Sequence, residues 1–482
     1  MSDANLPFYG HIINGEEVPS LDGATMADVD PYTREPWATI ACGGKADADR
    51  AVEAAREAFD NGPWPRMGYE KRQEILQRLA KLMEENADVL AMADTRDMGK
   101  PITQAHHDVA RSAWNVRFFA DHARMATSEM YPMDSGHHAY TRFDPTGVAV
   151  AISPWNFPLM LGTWKVSPAL AWGNTVVMKP AEDTPVSATV WARLALEAGM
   201  PPGVLNVVHG YGPDSAGAAL TSNPDVDRIT FTGESGTGKI ISGAASKNLI
   251  PVSLELGGKG ANIVFDDADI DNAVYWAVEA IFRNAGQICL SGSRLYVQAG
   301  IYDEFVERFV AAAQALKKGD PKDPSTQFSM ALASEEHFGK VKSYLDSVAV
   351  DGGRIVTGGT TEGWGVNPTI ILDAPPSARV CREEIFGPVS VVQKFETEED
   401  AVRAANDTRY GLNAMVFTEN LSRAHRVAAH LKAGTVWVNC FFIRDLRAPF
   451  GGVGESGVGR EGGNFSREFF TEPKAVVMQI AK

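Results

Sequence analysis

The chain has 482 residues, 44% of them hydrophobic and 22% charged, a composition near the globular average with length for about three domains, which argues against a disordered, collagen-like or coiled-coil polypeptide. Its 45 Lys and Arg against 61 Asp and Glu leave a net charge of −16, which repels nucleic-acid phosphates and anionic lipid alike, so neither nucleic acid nor a membrane is expected as a partner. The four cysteines, Cys42, Cys289, Cys381 and Cys440, are too far apart for paired metal ligation and too few to staple the chain, and the opening residues lack a basic-then-apolar leader; reduced thiols in a soluble cytoplasmic protein are expected.

In chain order, apolar residues at three- and four-residue spacing predict helices over 46–60 and 70–86, expected to flank the first sheet. A linker-like stretch follows at 127–141. From residue 147, short Val/Ile-rich runs (147–152, 175–179, 204–209, 228–232) alternate with longer amphipathic ones (158–171, 185–198, 214–221). Near-continuous apolar strands are buried on both faces, as in a parallel sheet with crossover helices. A second alternating series follows Leu256-Gly257-Gly258, with strands expected at 262–265, 294–298, 354–357, 389–394, 414–418 and 435–438, and helices over 301–317 and 422–431. The fold class is therefore α/β with two doubly wound parallel-sheet domains. An alternating tail at 476–480 could form an exposed edge, which invites pairing with another copy of the chain.

Three motifs point to chemistry that their context does not support. Gly233-Glu-Ser-Gly-Thr-Gly238-Lys239 has the spacing of a phosphate-cradling loop, but Ile240 stands where a magnesium-binding hydroxyl is needed. Gly452-Val-Gly454-Glu-Ser-Gly457 matches a dinucleotide fingerprint, yet no βαβ unit follows, so it reads as loop geometry. The pairs His106-His107 and His137-His138 lack a third ligand at metal spacing, and adjacent histidines on a helix point in different directions, so they read as solvated surface and no metal site is expected.

Other blocks fall where strands end, the usual place for a site in an open sheet. Ile152-Ser153 runs into Pro154-Trp155-Asn156-Phe157-Pro158, where two prolines hold an amide at a strand's carboxyl edge. Lys179-Pro180-Ala181-Glu182 and Phe231-Thr232-Gly233 follow, the latter opening a helix whose free N–H groups suit a phosphate. Leu254-Glu255-Leu256-Gly257-Gly258 places one carboxylate in an apolar strand, and Asn284-Ala285-Gly286-Gln287-Ile288-Cys289 puts a cysteine after a glycine turn. With Glu383-Glu384-Ile385-Phe386-Gly387-Pro388 and Pro449-Phe450-Gly451-Gly452, this order of blocks resembles the NAD(P)-dependent aldehyde dehydrogenase superfamily over nearly the whole chain.

The resemblance implies an aldehyde dehydrogenase-like fold divided into an NAD-binding domain (1–124 and 146–256), a catalytic domain (257–466) and a small β oligomerisation element (125–145 and 467–482), assembled as a homodimer or homotetramer. It implies Cys289 as the nucleophile that forms a thiohemiacetal and then a thioester, Asn156 with the Cys289 backbone N–H as the oxyanion hole, and Glu255 as the base that activates water. A carboxylate in a largely apolar strand suits that last role because burial raises its pKa. Lys179 and Glu182 would hold the adenine ribose, Trp155 would lie beside the cofactor, and Glu384 and Phe386 would surround its nicotinamide half. Glu182 favours NAD over NADP, since a carboxylate repels a 2′-phosphate. Glu234 replaces the serine of many relatives and would sit badly beside a pyrophosphate, leaving Gly233, Ser235 or backbone N–H groups to hold it. Cys42 and Cys381 are expected in the core, and Cys440 near the pocket.

Arg111 and Arg444 are similar to two arginines that hold substrate carboxylates in the branch acting on 2-hydroxymuconate and 2-aminomuconate semialdehydes. A guanidinium suits that task because its planar fork binds a carboxylate bidentately and stays charged when partly buried. Arg283 could add a third cation, and Phe157 and Trp164 would form an apolar wall. The expected substrate is a flat, unsaturated, carboxylate-bearing aldehyde; a neutral aromatic, aliphatic or betaine-type aldehyde is the alternative, with both arginines then structural. A catalytically silent binding relative would have lost the cysteine or the base, a CoA-acylating enzyme would not need Glu255, and a thiol hydrolase would need a histidine partner for Cys289.

Overall fold

A computed structural model describes residues 6–480. The expected domain limits at residues 1 and 482 lie outside the described residues. The predicted α/β alternation is present from residue 148 onward. Strands Val148–Ile152, Thr175–Lys179, Leu205–Val207, Arg228–Thr232 and Val252–Glu255 run parallel, in the spatial order 252–228–148–175–205. Along the chain the sheet grows from Val148–Ile152 first to one side and then to the other. The point where that direction reverses lies between the carboxyl ends of Val148–Ile152 and Arg228–Thr232, and there the flanking helices leave a crevice.

The sheet departs from the all-parallel expectation at both edges. His11–Ile13 pairs antiparallel with Leu205–Val207 and with Glu16–Val18, and Gly457–Val458 pairs antiparallel with Val252–Glu255. The first departure lies in a segment where His11–Ile13 and Glu16–Val18 have three residues each, too few for a periodic signal; Phe8–Tyr9, Thr25–Asp30 and Glu35–Ala41 form a three-stranded sheet of their own. The second follows from the glycine-rich segment after Phe450, which is indeed loop and tight turn, but whose last residues close the first sheet.

The second sheet orders its strands as Arg354–Thr357, Thr369–Leu372, Val389–Phe395, Arg294–Gln298, Ala261–Val264, Asn413–Phe417 and Thr435–Val438. It is parallel except for the outermost strand, Arg354–Thr357, which pairs antiparallel with Thr369–Leu372. A further three-stranded sheet joins the supposed linker to the tail. Thr471–Gln479 runs antiparallel to His137–Pro145 over nine residues, with Met130–Pro132 on the far side. His137 and His138 therefore lie on a strand; their ladder partners, Gln479 and Met478, are 342 and 340 residues away in sequence and could not be read locally.

Helix Lys45–Asp60 packs on the first sheet as expected. Helix Tyr69–Glu85 instead packs on helices Ile102–Arg124 and Val186–Glu197, one layer further out. Helix Pro158–Ala171 is apolar nearly all round and almost wholly buried, with Pro158 in its first turn where a missing N–H costs nothing. It packs against the 23-residue helix Ile102–Arg124, and the two together carry Trp164 and Arg111 to the same side of the crevice.

Candidate active site

The crevice at the switch point is a cavity of about 240 Å³ lined by Trp155, Asn156, Asp183, Gly233, Glu234, Gly257, Cys289, His337, Lys340, Glu384 and Phe386 among others. The segment that delivers Cys289 is held in a strained shape: Asn284, Ala285 and Gly286 have φ of 52°, 52° and 73°, a left-handed run that costs non-glycine residues free energy. Three contacts offset that cost. The Asn284 amide nitrogen donates to the Asn156 carbonyl (3.0 Å), the Asn284 backbone N–H donates to Gln104 Oε1 (3.0 Å), and Gln287 Oε1 accepts from Ala333 N–H (3.0 Å). A Cβ on Gly286 would lie 2.1 Å from the Gly387 carbonyl oxygen, so this position admits glycine only.

Asn156 is 2% exposed. Its Nδ2 donates one hydrogen to the Gln287 carbonyl at 2.9 Å, and a primary amide has a second N–H left over for another acceptor. Its own carbonyl accepts from Lys100 Nζ (2.9 Å), which is also paired with Asp108 and sits 4.0 Å over the Phe157 ring. Asn156 and the cysteine loop are thus tied to each other directly, and a buried lysine fixes the amide segment from below.

Two carboxylates flank Cys289. Glu255 ends strand Val252–Glu255; both its oxygens are buried without a donor, and a Cβ on Gly451 would lie 2.7 Å from Oε1. Burial, then the nearby Glu461 carboxylate, hold its pKa well above the usual carboxylate range, against the opposing pull of Lys165 and Arg444. Glu384 accepts from Gly258 N–H at 2.9 Å and lies over Gly257, where a Cβ would come within 2.2 Å of it; burial pushes it up to about 7. Burial, then Glu384, then Glu255, push the Cys289 thiol up to about 12, while Arg444 pulls it down.

The opposite wall is aromatic. Trp155 packs on His337 (ring centroids 4.8 Å) and edge-on to Phe386 (5.1 Å), and the His337 ring is tied to the Phe386 carbonyl at 2.7 Å. Burial lowers His337 to about 4, so its ring is neutral. Helix Ser235–Ala245 points its N-terminus at the cleft with no side-chain cap, and Gly236 has open space around it. A groove with uncapped helix N–H groups at one end and flat aromatic surface at the other fits a dinucleotide.

Beyond Asn156 a second cavity, about 160 Å³, is lined by His107, Asp108, Arg111, Asn115, Met160, Leu161, Trp164, Arg283, Phe442 and Arg444. Arg444 lies over Phe450 (3.6 Å) and Trp164 (4.7 Å), and Arg111 over Trp114 (4.4 Å). Among the described residues neither guanidinium has a carboxylate partner or a hydrogen-bond acceptor. Burial lowers both to about 10, with the charge of Arg111 adding to the effect on Arg444, and both stay cationic at neutral pH.

Comparison with known proteins agrees with this geometry. Residues 18–476 match the model of the aldehyde dehydrogenase family. The chain belongs to the aldehyde dehydrogenase family. It is 47% identical to 2-hydroxymuconic semialdehyde dehydrogenase of Pseudomonas sp. (strain CF600), over 98% of this chain and 99% of that one, and 43% identical to 2-aminomuconic semialdehyde dehydrogenase of Bos taurus, over 97% and 98%. Its fold superposes with a TM-score of 0.95 on a crystal structure of betaine aldehyde dehydrogenase from Staphylococcus aureus in complex with NAD+, at 36% identity and covering 98% of this chain and 95% of that one. This aldehyde dehydrogenase is accordingly an oxidoreductase acting on aldehydes. No helix among the described residues is long and apolar enough to cross a membrane.

Of the residues singled out from the sequence of this aldehyde dehydrogenase, Trp155, Asn156, Gly233, Cys289, Glu384 and Phe386 line one cavity and Arg111, Trp164, Arg283 and Arg444 the other. Lys179 and Glu182 stand at the next strand end and bond each other (3.1 Å). Phe157 lies behind the second cavity and packs on Phe442 at 6.1 Å rather than lining it. Ser235 turns away: its hydroxyl donates to the Glu455 carbonyl at 2.8 Å, so it is not aimed at the cleft. Glu234 does turn from the helix end, to Lys340 across the cleft at 3.1 Å, and Lys239 of the phosphate-loop look-alike pairs with Glu455. Cys381 is buried in the main core and Cys42 packs on a smaller one; Cys440 packs on the core without lining the arginine cavity. Sequence reasoning missed Lys100, Asn284, Gln287, His337 and Lys340. None of the five carries a local signal, because each acts through partners far away in sequence.

Proposed function

We propose that the protein oxidises a carboxylate-bearing, unsaturated semialdehyde of the 2-hydroxymuconic or 2-aminomuconic class to the corresponding acid, with NAD as electron acceptor. The observation that carries the substrate class is the pair of partnerless guanidiniums, Arg111 and Arg444, in the cavity beyond Asn156. A partly buried cation without an anion is costly, and the cost is recovered when a carboxylate arrives. The two semialdehyde dehydrogenase relatives support the same class. A neutral aldehyde would leave both charges unsatisfied.

With the carboxylate on these arginines, the aldehyde end reaches Cys289. The Cys289 thiol releases its proton to solvent as its sulfur forms a C–S bond to the carbonyl carbon, and the resulting alkoxide takes hydrogen bonds from the free N–H of Asn156 and the backbone N–H of Cys289. Trp155, Phe386 and Glu384 would hold NAD, with Lys179 and Glu182 at its ribose, and the bound cofactor would supply the hydride acceptor that lets the carbon be oxidised to the thioester level. Glu255 then takes a proton from water, whose oxygen attacks the thioester; the C–S bond breaks, the acid leaves and Cys289 departs as thiolate. Burial holds this glutamate above the ordinary carboxylate range, which makes it a stronger base than an exposed carboxylate.

The free thiols and acidic surface support a cytoplasmic location. The same reading divides the chain into cofactor-binding residues 1–124 and 146–256, catalytic residues 257–466 and a β element at 125–145 and 467–482; the separation of the two large sheets and of the Met130–Pro132, His137–Pro145 and Thr471–Gln479 sheet supports it, while the pairing of Gly457–Val458 with the first sheet runs against the boundary. The three-stranded sheet exposes Val477 and Met478 on one outer strand and Met130 and Tyr131 on the other, which supports a homodimer or homotetramer. The test is kinetic: Arg111→Ala and Arg444→Ala should each lower kcat/KM for a muconic-type semialdehyde at least tenfold more than for benzaldehyde, about 1.4 kcal/mol or more of lost ion pairing. Equal losses on both substrates would reject the carboxylate assignment.

A further inference from the structure

Asn156 lies between Pro154 and Pro158, outside any strand or helix, so no ladder of backbone bonds holds it in place. Its position rests on its own groups. The backbone carbonyl accepts from Lys100 Nζ at 2.9 Å and from Asn284 Nδ2 at 3.0 Å, and the side-chain Nδ2 donates to the Gln287 carbonyl at 2.9 Å. The side-chain Oδ1 meets no donor among the described residues. Of the two donors to the carbonyl, Lys100 is the charged one, and a charge-assisted hydrogen bond is roughly twice as strong as a neutral one.

The fold goes to some length to put an ammonium there. Helix Ala87–Met98 ends at Gly99, whose φ of 73° stops the helix and whose Cβ, if it had one, would lie 2.7 Å from that of Ala331. The turn sends the next side chain inward, and Lys100 is 1% exposed. An ammonium has three hydrogens to place. One goes to Asp108 Oδ2 at 2.5 Å and one to the Asn156 carbonyl, and the Phe157 ring lies 4.0 Å from the nitrogen on a further side. Burial raises the Asp94 carboxyl to about 6, and the strongest pull against that rise is the Lys100 charge, so a second buried acid also faces the ammonium. Asp108 lines the arginine cavity and stands one turn before Arg111 on helix Ile102–Arg124. Resting on the assignment of Asn156 as oxyanion donor, we propose that Lys100 is a positioning residue for that donor: anchored by Asp108, its ammonium clamps the Asn156 carbonyl so that the free side-chain N–H meets the oxygen of the carbonyl under attack by Cys289. The clamp also ties the oxyanion donor to the helix whose Arg111 receives the substrate's anion.

Two reactions of the same sulfur test this, both run without NAD. In acylation by p-nitrophenyl acetate, a C–S bond forms at the ester carbonyl, an alkoxide develops, and p-nitrophenolate leaves. In alkylation by iodoacetamide, a C–S bond forms at a saturated carbon, iodide leaves, and no oxyanion appears. Any change in thiolate content or access alters both, so the ratio of the two rates reports the oxyanion donor. Lys100→Met should lower the acylation-to-alkylation ratio at least tenfold, within the 10²–10³ that loss of a whole oxyanion donor costs, and Lys100→Gln, whose amide can still donate to the carbonyl, should lie between Met and the parent. Asn156→Ala should lower the ratio at least as far, and adding Lys100→Met to it should change the ratio less than threefold, because the two act as one unit. In NADH turnover Lys100→Met should lose kcat with KM changed less than threefold. A ratio unchanged in Lys100→Met, losses that multiply in the double variant, or a loss confined to KM overturns the proposal. If Asn156→Ala lowers the ratio and Lys100→Met does not, the oxyanion donor stands and the lysine only fills the core; if Asn156→Ala leaves the ratio alone, both readings fall. Since Lys100→Met strands the Asp108 carboxylate in the interior, Lys100→Met with Asp108→Asn is measured beside it: it should show the same lowered ratio, and a ratio restored to the parent's would trace the loss to the stranded charge and overturn the proposal.

Discussion

The state of the Cys289 thiol before substrate arrives is the sharpest consequence of the site's electrostatics. An ordinary thiol titrates near 8.5 and reacts as the thiolate. Here burial, Glu384 and Glu255 all disfavour the anion and place the thiol at about 12. At pH 8 a group titrating there is ionised to about one part in 10⁴, against roughly one in four for an unperturbed thiol, so alkylation of the free enzyme by iodoacetamide should be slower by a factor on the order of 10³ than that of a small thiol. The rate should still climb tenfold per pH unit at pH 9.5, where an ordinary thiol has levelled. The ranking of causes sets the order of variants: Glu384→Gln should accelerate alkylation more than Glu255→Gln, and Arg444→Ala should slow it. The assay is the second-order alkylation rate from pH 7 to 10.5, read by mass at Cys289, with Cys42, Cys381 and Cys440 as internal references. A Cys289 rate that levels near pH 8.5, or a Glu384→Gln enzyme no faster than the parent, would refute the claim that these carboxylates hold the thiol protonated.

Two further outcomes test separate parts of the structure. Glu255→Gln should retain a burst of NADH near one equivalent per Cys289 and then nearly stop, with steady-state turnover down by 10² or more and an acyl adduct on Cys289 visible by mass spectrometry; absence of both burst and adduct would place Glu255 before the thioester rather than after it. His209 is fully buried, bonded to Thr189 Oγ1 at 2.8 Å, and lowered to about 3 by burial and then by the neighbouring His11. Its unfolded form binds a proton below about 6.5 while the folded form does not, so stability falls as pH drops from about 6.5 towards 3, by up to about 1.4 kcal/mol per pH unit. His209→Asn should flatten the measured slope of unfolding free energy between pH 4 and 6 by about one proton, and an unchanged slope would show that another group governs acid unfolding.

The parts of this fold legible in the sequence are those where one short run of residues decides the conformation. Thr175–Lys179 and Arg228–Thr232 are largely apolar runs ended by Pro180 and Gly233, and the structure has them, with Arg294–Gln298 and Thr435–Val438, at the expected limits. Strands that need a distant partner were not legible: His11–Ile13 is three residues long, and Gly457–Val458 is two, so neither carries a period. The same division runs through the site. Cys289, Asn156 and Glu255 stand in blocks whose order resembles a family, whereas Lys100, Gln104 and Ala333 matter only because folding brings them to the backs of those blocks.

What the sequence also could not show is that the two cavities are coupled through one short segment. Arg283 begins it and faces the arginine cavity, Asn284 and Gln287 tie it to Asn156, and Cys289 ends it in the dinucleotide cleft. Any displacement of Arg283 therefore has to pass through residues whose hydrogen bonds also set the oxyanion donor, and through backbone already confined to left-handed φ. Since small errors of position at a reacting centre cost large factors in rate, the segment's stiffness links recognition of the substrate's far end to alignment of its aldehyde carbon. On that reasoning the anionic substrate gains in kcat as well as in KM over a neutral aldehyde, because only a substrate anchored at the arginines fixes its carbonyl against both Cys289 and Asn156.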